Sequence, residues 1–356
     1  MCFKLFYSID MLFRNIVLCY NMTIRDIISK IPCNADKKLR LFKFSRNLFW
    51  KLRYSSEMYQ FLKSNQPLIP QNYSYGHEYW LKTYSDYNDY IYGLVEHGIF
   101  AKDDHTKVGW DVEWDIGSIF TFGNARYETL TKLYPDFNII RIGPRIHYVQ
   151  YDDLYYKELR SQIDNSSKTI VLFPSHSLAS ETYKYDVEMF LTRAINFAKG
   201  LGIKNVLVSL HPSDILHGFQ DKYREFDKRI ITVTGGNNPL LFLSRLKTIL
   251  SIADISYSNK FGTHVGYSLY MNKPHIIDTS SDSIMNNTIF SKDYDLITNQ
   301  FFSDAFKCND NPWEITKEQY DLTDYYFGFS HTMSPKMLFK ELENAKILYN
   351  NRFGLH

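Results

Sequence analysis

Between Lys168 and Asp278, apolar runs of strand length alternate with helical stretches, and this alternation constrains the fold more than any other feature of the chain. KTIVLFP, KNVLVSLHP, RIITVTGG, ADISYSN and KPHIID read as strands. DVEMFLTRAINFAKGLG, the patch around DKYREF, NPLLFLSRLKTIL and THVGYSLYMN read as the helices between them. Each helix carries the chain back, so that successive strands run parallel. The stretch is therefore expected to form a doubly wound sheet.

Upstream the same alternation is looser. YIYGLVEHGIF reads as a strand and its exit loop, GSIFTFGN as a strand ending in a turn and NIIRIGPR as a short strand stopped by Gly143-Pro144, with Asn124 placed to cap the helix ARYETLTKLY. MSPKMLFKELENAKILYNN reads as one amphipathic helix begun at Ser334-Pro335. A chain of 356 residues accommodates two α/β domains. The expected organisation is an α/β domain over 1–155, a second over 165–330 and a terminal helix over 331–356. Two such domains would face each other across a cleft, with ligands at the carboxyl ends of the strands.

Composition narrows the classes. A net charge of +2 gives no global attraction to nucleic acid. The four cysteines show no metal-ligand spacing, and a disulfide framework is not expected in so long a chain, which points to a reducing cytoplasm. The opening MCFKLFYSIDMLFRNIVLCYNM carries Lys4, Asp10 and Arg14, so it reads neither as a signal peptide nor as a membrane span; Met22 is an alternative start. The 28 tyrosines and 26 phenylalanines suit sugar rings, but an AT-rich genome gives the same excess, so composition does not decide. Residues 37–53, KKLRLFKFSRNLFWKLR, interleave seven cations with aromatic and aliphatic residues and contain no acid. Such a helix fits peripheral contact with an anionic inner membrane or a surface helix packed on its own domain; a nucleic-acid arm is the third reading, and no recognised motif supports it.

Candidate chemistry collects at the strand exits. TIVLF leads into Ser175, His176 and Ser177, and NVLVSL into His211-Pro212-Ser213-Asp214. ITVT leads into Gly235-Gly236-Asn237-Asn238, and ADISYSN passes through Ser258 and Asn259 into FGTHVGYSL. In that last segment Gly262, Thr263 and His264 fall where a helix begins, and a helix amino terminus offers free N–H groups to a phosphate. An ordinary helix cap is the other reading. His211-Pro212 holds an imidazole at a strand tip, where it can bond a phosphate oxygen. Neither a GxxxxGK[ST] loop nor a GxGxxG fingerprint occurs. Upstream, Glu96 and His97 end an apolar run as an acid/base candidate. Asp111, Glu113 and Asp115 in DVEWD could hold a divalent cation, Trp110 and Trp114 around them could form an acceptor-sugar platform, or the segment is simply a solvated loop.

SLHPSD, the ADISYSNKFGTHVGYSLYMNKPHI block and the upstream EHG together resemble GT-B-fold glycosyltransferases of bacterial surface polysaccharide synthesis. Two branches are most similar. Bacterial sialyltransferases combine an acid-acid-Gly motif with a His-Pro motif that binds the CMP phosphate. Teichoic-acid-type polyol-phosphate transferases carry a His-Gly followed by a segment like IGPR at 142–145. Position 97 is His where the first pattern has an acid, and Glu96 stands where the second has Trp.

The resemblance implies a GT-B-like α/β fold, two Rossmann-like domains facing a central cleft, with the nucleotide-sugar donor on the carboxyl-terminal domain. Donor binding would then involve Ser175, His176, His211, Pro212, Ser258, Asn259, Gly262, Thr263 and His264. His97 or Glu96 would take the proton of the acceptor hydroxyl; an imidazole does so near neutral pH, whereas a carboxylate needs burial to raise its pKa. The expected reaction is an inverting sugar transfer onto a capsule or lipopolysaccharide acceptor, glycan or glycolipid. It needs no obligatory metal and no cofactor beyond the nucleotide sugar, and the His-Pro pair favours a CMP-sugar. The alternatives are polyol-phosphate transfer and a non-catalytic polysaccharide-assembly protein.

Overall fold

The computed structural model describes residues 69–96, 98–99, 116–175, 186–211, 214–215, 218–235, 239–282, 302–308 and 310–353. All belong to one compact unit, Ile69–His356. The basic segment 37–53, the acidic positions 111, 113 and 115 and the tryptophans at 110 and 114 lie outside the described residues, as do His97, His176 and Pro212.

The chain is α/β and builds two parallel sheets. In the first half, α1 (His77–Ser85) precedes β1 (Leu94–Val95) and β2 (Ser118–Thr121). Helix α2 (Asn124–Leu133) and β3 (Asn138–Arg141) follow. These three strands pair in the order β1-β2-β3, all parallel. A short 3-10 turn (Arg145–Tyr148) and α3 (Asp153–Gln162) lead to the second half.

There β4 (Thr169–Phe173), α4 (Val187–Gly200), β5 (Asn205–Ser209), α5 (Phe219–Phe226) and β6 (Ile230–Val233) alternate. Then come α6 (Pro239–Ile252), β7 (Ile255–Ser258), α7 (Thr263–Tyr270) and β8 (His275–Ile277). The sheet order is β6-β5-β4-β7-β8, all parallel. This is the doubly wound order: β4 is central, β5 and β6 add on one side, β7 and β8 on the other.

The strands form where the sequence reading places them because helices cover both faces. Every residue of TIVLF is buried, as a parallel sheet requires. On one face Ile170, Leu172 and Val208 pack against Phe190, Leu191 and Ala194 of α4. On the other, Val171, Phe173 and Leu207 share a cluster with Ile249 and Val265, and with Trp80, Phe122 and Ile146 from the first half, so the two sheets share a continuous core. Burying each such side chain contributes roughly 2 kcal/mol.

Two local expectations are corrected. Among its described residues YIYGLVEHGIF contributes a strand of only two, because β1 meets a side chain on its outer edge. Asn72 Nδ2 donates to Gly93 O (2.8 Å) while its Oδ1 accepts from Val95 N–H (2.7 Å), so one side chain stands in for a neighbouring strand. Asn124 does not cap α2: it is the helix's first residue, and its Oδ1 accepts from Arg141 Nη1 at 2.5 Å instead.

After α8 (Lys317–Phe327) the chain returns to the first sheet. Gly328 closes α8 at φ +71 and lies directly on the exits of β2 and β3. A Cβ there would stand 2.6 Å from Phe122 O, one at Gly143 (φ +68) 2.5 Å from Gly328 O, and one at Gly123 2.6 Å from Tyr325 O. Backbone touches backbone, which glycine alone allows. Helix α9 (Pro335–Phe353) then lays Leu338, Leu342 and Ala345 against Val95, Phe120 and Ile140. No helix among the described residues is long and apolar enough to cross a membrane.

Candidate functional site

In the order β6-β5-β4-β7-β8 the chain leaves β4 toward one edge and later returns on its other side. The connections from β4 and β7 therefore diverge and leave a crevice beyond their carboxyl ends, where α/β folds bind ligands. Ser175 follows β4 and Asn259 follows β7, and the two are joined: Asn259 Oδ1 accepts the N–H of Ser175 (2.8 Å) and its Oγ–H (3.1 Å). Both side chains are buried. The bond fixes the width of the crevice at its floor.

Helix α7 starts from the same crevice. Gly262 precedes it in extended backbone, and no side chain caps its first turn. Val265 N–H donates to Gly262 O (3.0 Å), and the positive end of the helix dipole there favours a negative charge. The His264 imidazole stacks on Phe173 (centroids 4.9 Å apart, planes 18°) and its Nε2 lies 3.2 Å from Lys260 O. A Cβ on Gly262 would stand 2.9 Å from that ring, so the glycine leaves room for the His264 side chain.

Lys260 is a residue that the sequence reading passed over. It is half-buried in the four-residue loop between β7 and α7, and its carbonyl accepts from Ser258 Oγ (2.9 Å). A cation two residues ahead of a Gly-Thr helix start was the available signal.

Ser258 turns away from the crevice. Its Oγ–H reaches Lys260 O (2.9 Å) and its oxygen lies 2.9 Å from His275 Nε2, while His275 Nδ1 lies 2.7 Å from Ser256 Oγ, which also reaches Pro274 O (3.2 Å). Burial holds the His275 imidazole well below its ordinary pKa, with His264 adding to the effect. The neutral ring ties β8 to β7. One strand over, beyond β5, the carbonyl of half-buried His211 accepts from Asp214 N–H (2.9 Å) and begins a turn.

At the exit of β1, Glu96 has the setting of an anchor. Its side chain is fully buried, Oε1 accepts from Arg126 Nε (2.8 Å), and Oε2 accepts from Thr121 Oγ1 (2.5 Å). Arg145 lies beneath it, also buried. Its Nη1 donates to Thr121 O (3.2 Å) and Gly143 O (2.5 Å), and its Nη2 to Glu96 O (3.2 Å) and Phe120 O (3.0 Å). Burial lowers the guanidinium to about 10, still charged at neutral pH. Glu96 and Arg145 together bind the carboxyl ends of β1 and β2 to the exit of β3. With both oxygens occupied inside the fold, Glu96 presents no carboxylate to an acceptor hydroxyl.

The structure thus gathers Ser175, Asn259, Gly262, Thr263 and His264 at one crevice, with His211 on the adjoining strand. Ser258 supports them from below, and Glu96 belongs to the other sheet.

No protein family matches the chain, and no curated protein does. Solved structures with a similar course include a UDP-GlcNAc 2-epimerase from Neisseria meningitidis bound to UDP-GlcNAc. It is 11% identical, covers 75% of this chain and 78% of its own, and has a TM-score of 0.38. WaaG, a glycosyltransferase involved in lipopolysaccharide biosynthesis, is 11% identical over 65% of this chain and 62% of its own, with a TM-score of 0.28. Both likenesses are too loose to transfer a property to this chain.

Proposed function

We propose that the protein is a glycosyltransferase that moves a sugar from a nucleotide donor, by preference a CMP-sugar, to a surface glycan acceptor. The observation that carries this reading is the uncapped start of α7, which opens on the β4/β7 switch point beside the Ser175–Asn259 tie and Lys260. In this reading the donor phosphate lies against the N–H groups of α7. Thr263 donates a hydroxyl, Lys260 balances charge, and Ser175, His176 and His211-Pro212 complete the donor side. Preorganised donors of this kind stabilise a leaving phosphate. His97 takes the acceptor proton, while Glu96 and Arg145 fix the peptide that carries it. The basic segment 37–53 would hold the protein at the inner membrane, near a glycolipid acceptor.

The test is nucleotide release from a panel of CMP-, UDP- and GDP-sugars and a CDP-polyol, with and without acceptor glycans. Turnover of one nucleotide sugar is expected, reduced about a hundredfold or more in His97→Ala. Turnover of the CDP-polyol alone would move the assignment to polyol-phosphate transfer. Turnover of none would leave a polysaccharide-assembly protein.

A further inference from the structure

Away from the crevice, the polar groups between the two sheets converge on one imidazole. His147 lies in the 3-10 turn after Gly143-Pro144-Arg145, and two hydroxyls hold its ring from opposite sides. Tyr84 of α1 stands 3.0 Å from Nε2, and Tyr270, the last residue of α7, stands 2.5 Å from Nδ1. Tyr84 gives its own proton to Met333 O (3.1 Å), so its oxygen accepts and Nε2 carries the proton. Nδ1 is then left to accept from Tyr270. One neutral tautomer satisfies both contacts.

The ring is enclosed by four elements besides its own turn. Helix α1 brings Tyr84, α7 brings Tyr270, and α6 brings Lys247, whose Nζ donates to Val149 O (2.6 Å) and lies 3.5 Å from His147 O. The returning chain brings the carbonyl of Met333 and no titratable side chain, and Tyr148 of the same turn packs edge-on at 4.8 Å. Lys247 is the charge that acts on the ring, and it has the wrong sign for an imidazolium.

We infer that His147 is a proton-operated latch between the two sheets: neutral, it joins α1 and the turn after β3 to α7; protonated, it lets them part. A proton on Nδ1 would turn Tyr270 from donor to acceptor and add a second cation near Lys247 inside the closed seam. Burial, with a smaller contribution from Lys247, holds the imidazole below its ordinary value in the closed state, against the opposing effect of the Met333 carbonyl. In the parted state the ring is solvated and titrates near ~6.5. Closure is therefore complete above that pH and weakens as the pH falls toward the closed-state value. The latch goes beyond the proposed activity and does not depend on it.

Hydrogen exchange of the full chain, corrected for intrinsic rates at pH 7.5 and 5.5, tests it. Peptides covering 143–149 and 263–272 are expected to lose about fivefold or more of their protection at pH 5.5. Peptides covering 169–173 and 205–209 should keep theirs, and His147→Gln should show no loss at the seam. Equal seam protection at both pH values would overturn the latch, as would the wild-type loss persisting in His147→Gln or a loss shared by all four peptides. Should His147→Gln fail to fold, Tyr270→Phe removes the donor to Nδ1 and must shrink the loss; an undiminished loss overturns the latch equally.

Discussion

Glu78, in the first turn of α1, shows how one residue sets a pH dependence. The side chain is buried, 4.0 Å from Lys82 Nζ, and its Oε2 has no hydrogen-bond partner. Burial pushes the carboxyl up to about 7, against the lowering effects of Lys82 and the Ile91 N–H. The folded state thus binds a proton that the unfolded chain releases near its ordinary value. Stability is full below about 4.5 and is lost as the pH rises through 7. Glu78→Gln keeps the shape without the charge. It should flatten this slope in urea titrations and stabilise the protein at pH 8 by up to ~3 kcal/mol; an unchanged slope would refute the assignment. His275 works in the opposite sense: its depressed pKa makes stability fall as the pH drops below ~6.5. At this scale, although Ser175, Ser258 and Asn259 prove to bond within the fold, strand exits were legible as polar residues after apolar runs. Glu96 was not, because Arg126 and the Arg145 guanidinium, 30 and 49 residues on, are what bind it.

Among elements, the return of the chain after α8 depends on backbone contact. Gly143 and Gly328 combine a left-handed backbone with no room for a Cβ, whereas Gly202 (φ +69) has the same backbone with open space around it. Alanine at Gly202 should therefore cost only the backbone strain, about 1 kcal/mol. Gly143→Ala and Gly328→Ala should each cost about 3 kcal/mol or more in denaturant midpoints, since overpacking adds to strain. Their double variant should cost less than the sum, because a junction forced open once accommodates the second methyl. Equal costs at all three positions would show that the close approach carries no energy. The elements themselves were legible from period and turn residues. Their ends were less so, because partners distant in sequence intervene: Asn72 occupies the edge of β1, and Arg141 draws Asn124 away from capping.

For the whole molecule, the alternation of strands and helices foretold a doubly wound sheet. The strand order, and with it the crevice between β4 and β7, belongs to the folded structure. That order separates two kinds of residue that looked alike in sequence. Thr263 and Lys260 are half-buried around the start of α7, whereas Asn259 is fully buried and holds the exit of β4 through Ser175. If a donor phosphate occupies the crevice, Thr263→Val and Lys260→Ala should each weaken nucleotide binding about tenfold, the worth of one charge-assisted hydrogen bond, with little change in Tm. Asn259→Ala should weaken binding and also lower stability by about 1–3 kcal/mol, since two buried donors lose their acceptor. Calorimetric titration with CMP, CDP and UDP, beside thermal unfolding of the same variants, reads both quantities. Wild-type affinity in Thr263→Val and Lys260→Ala would place the phosphate elsewhere. A loss of affinity in Asn259→Ala alone would then report only a disturbed sheet edge.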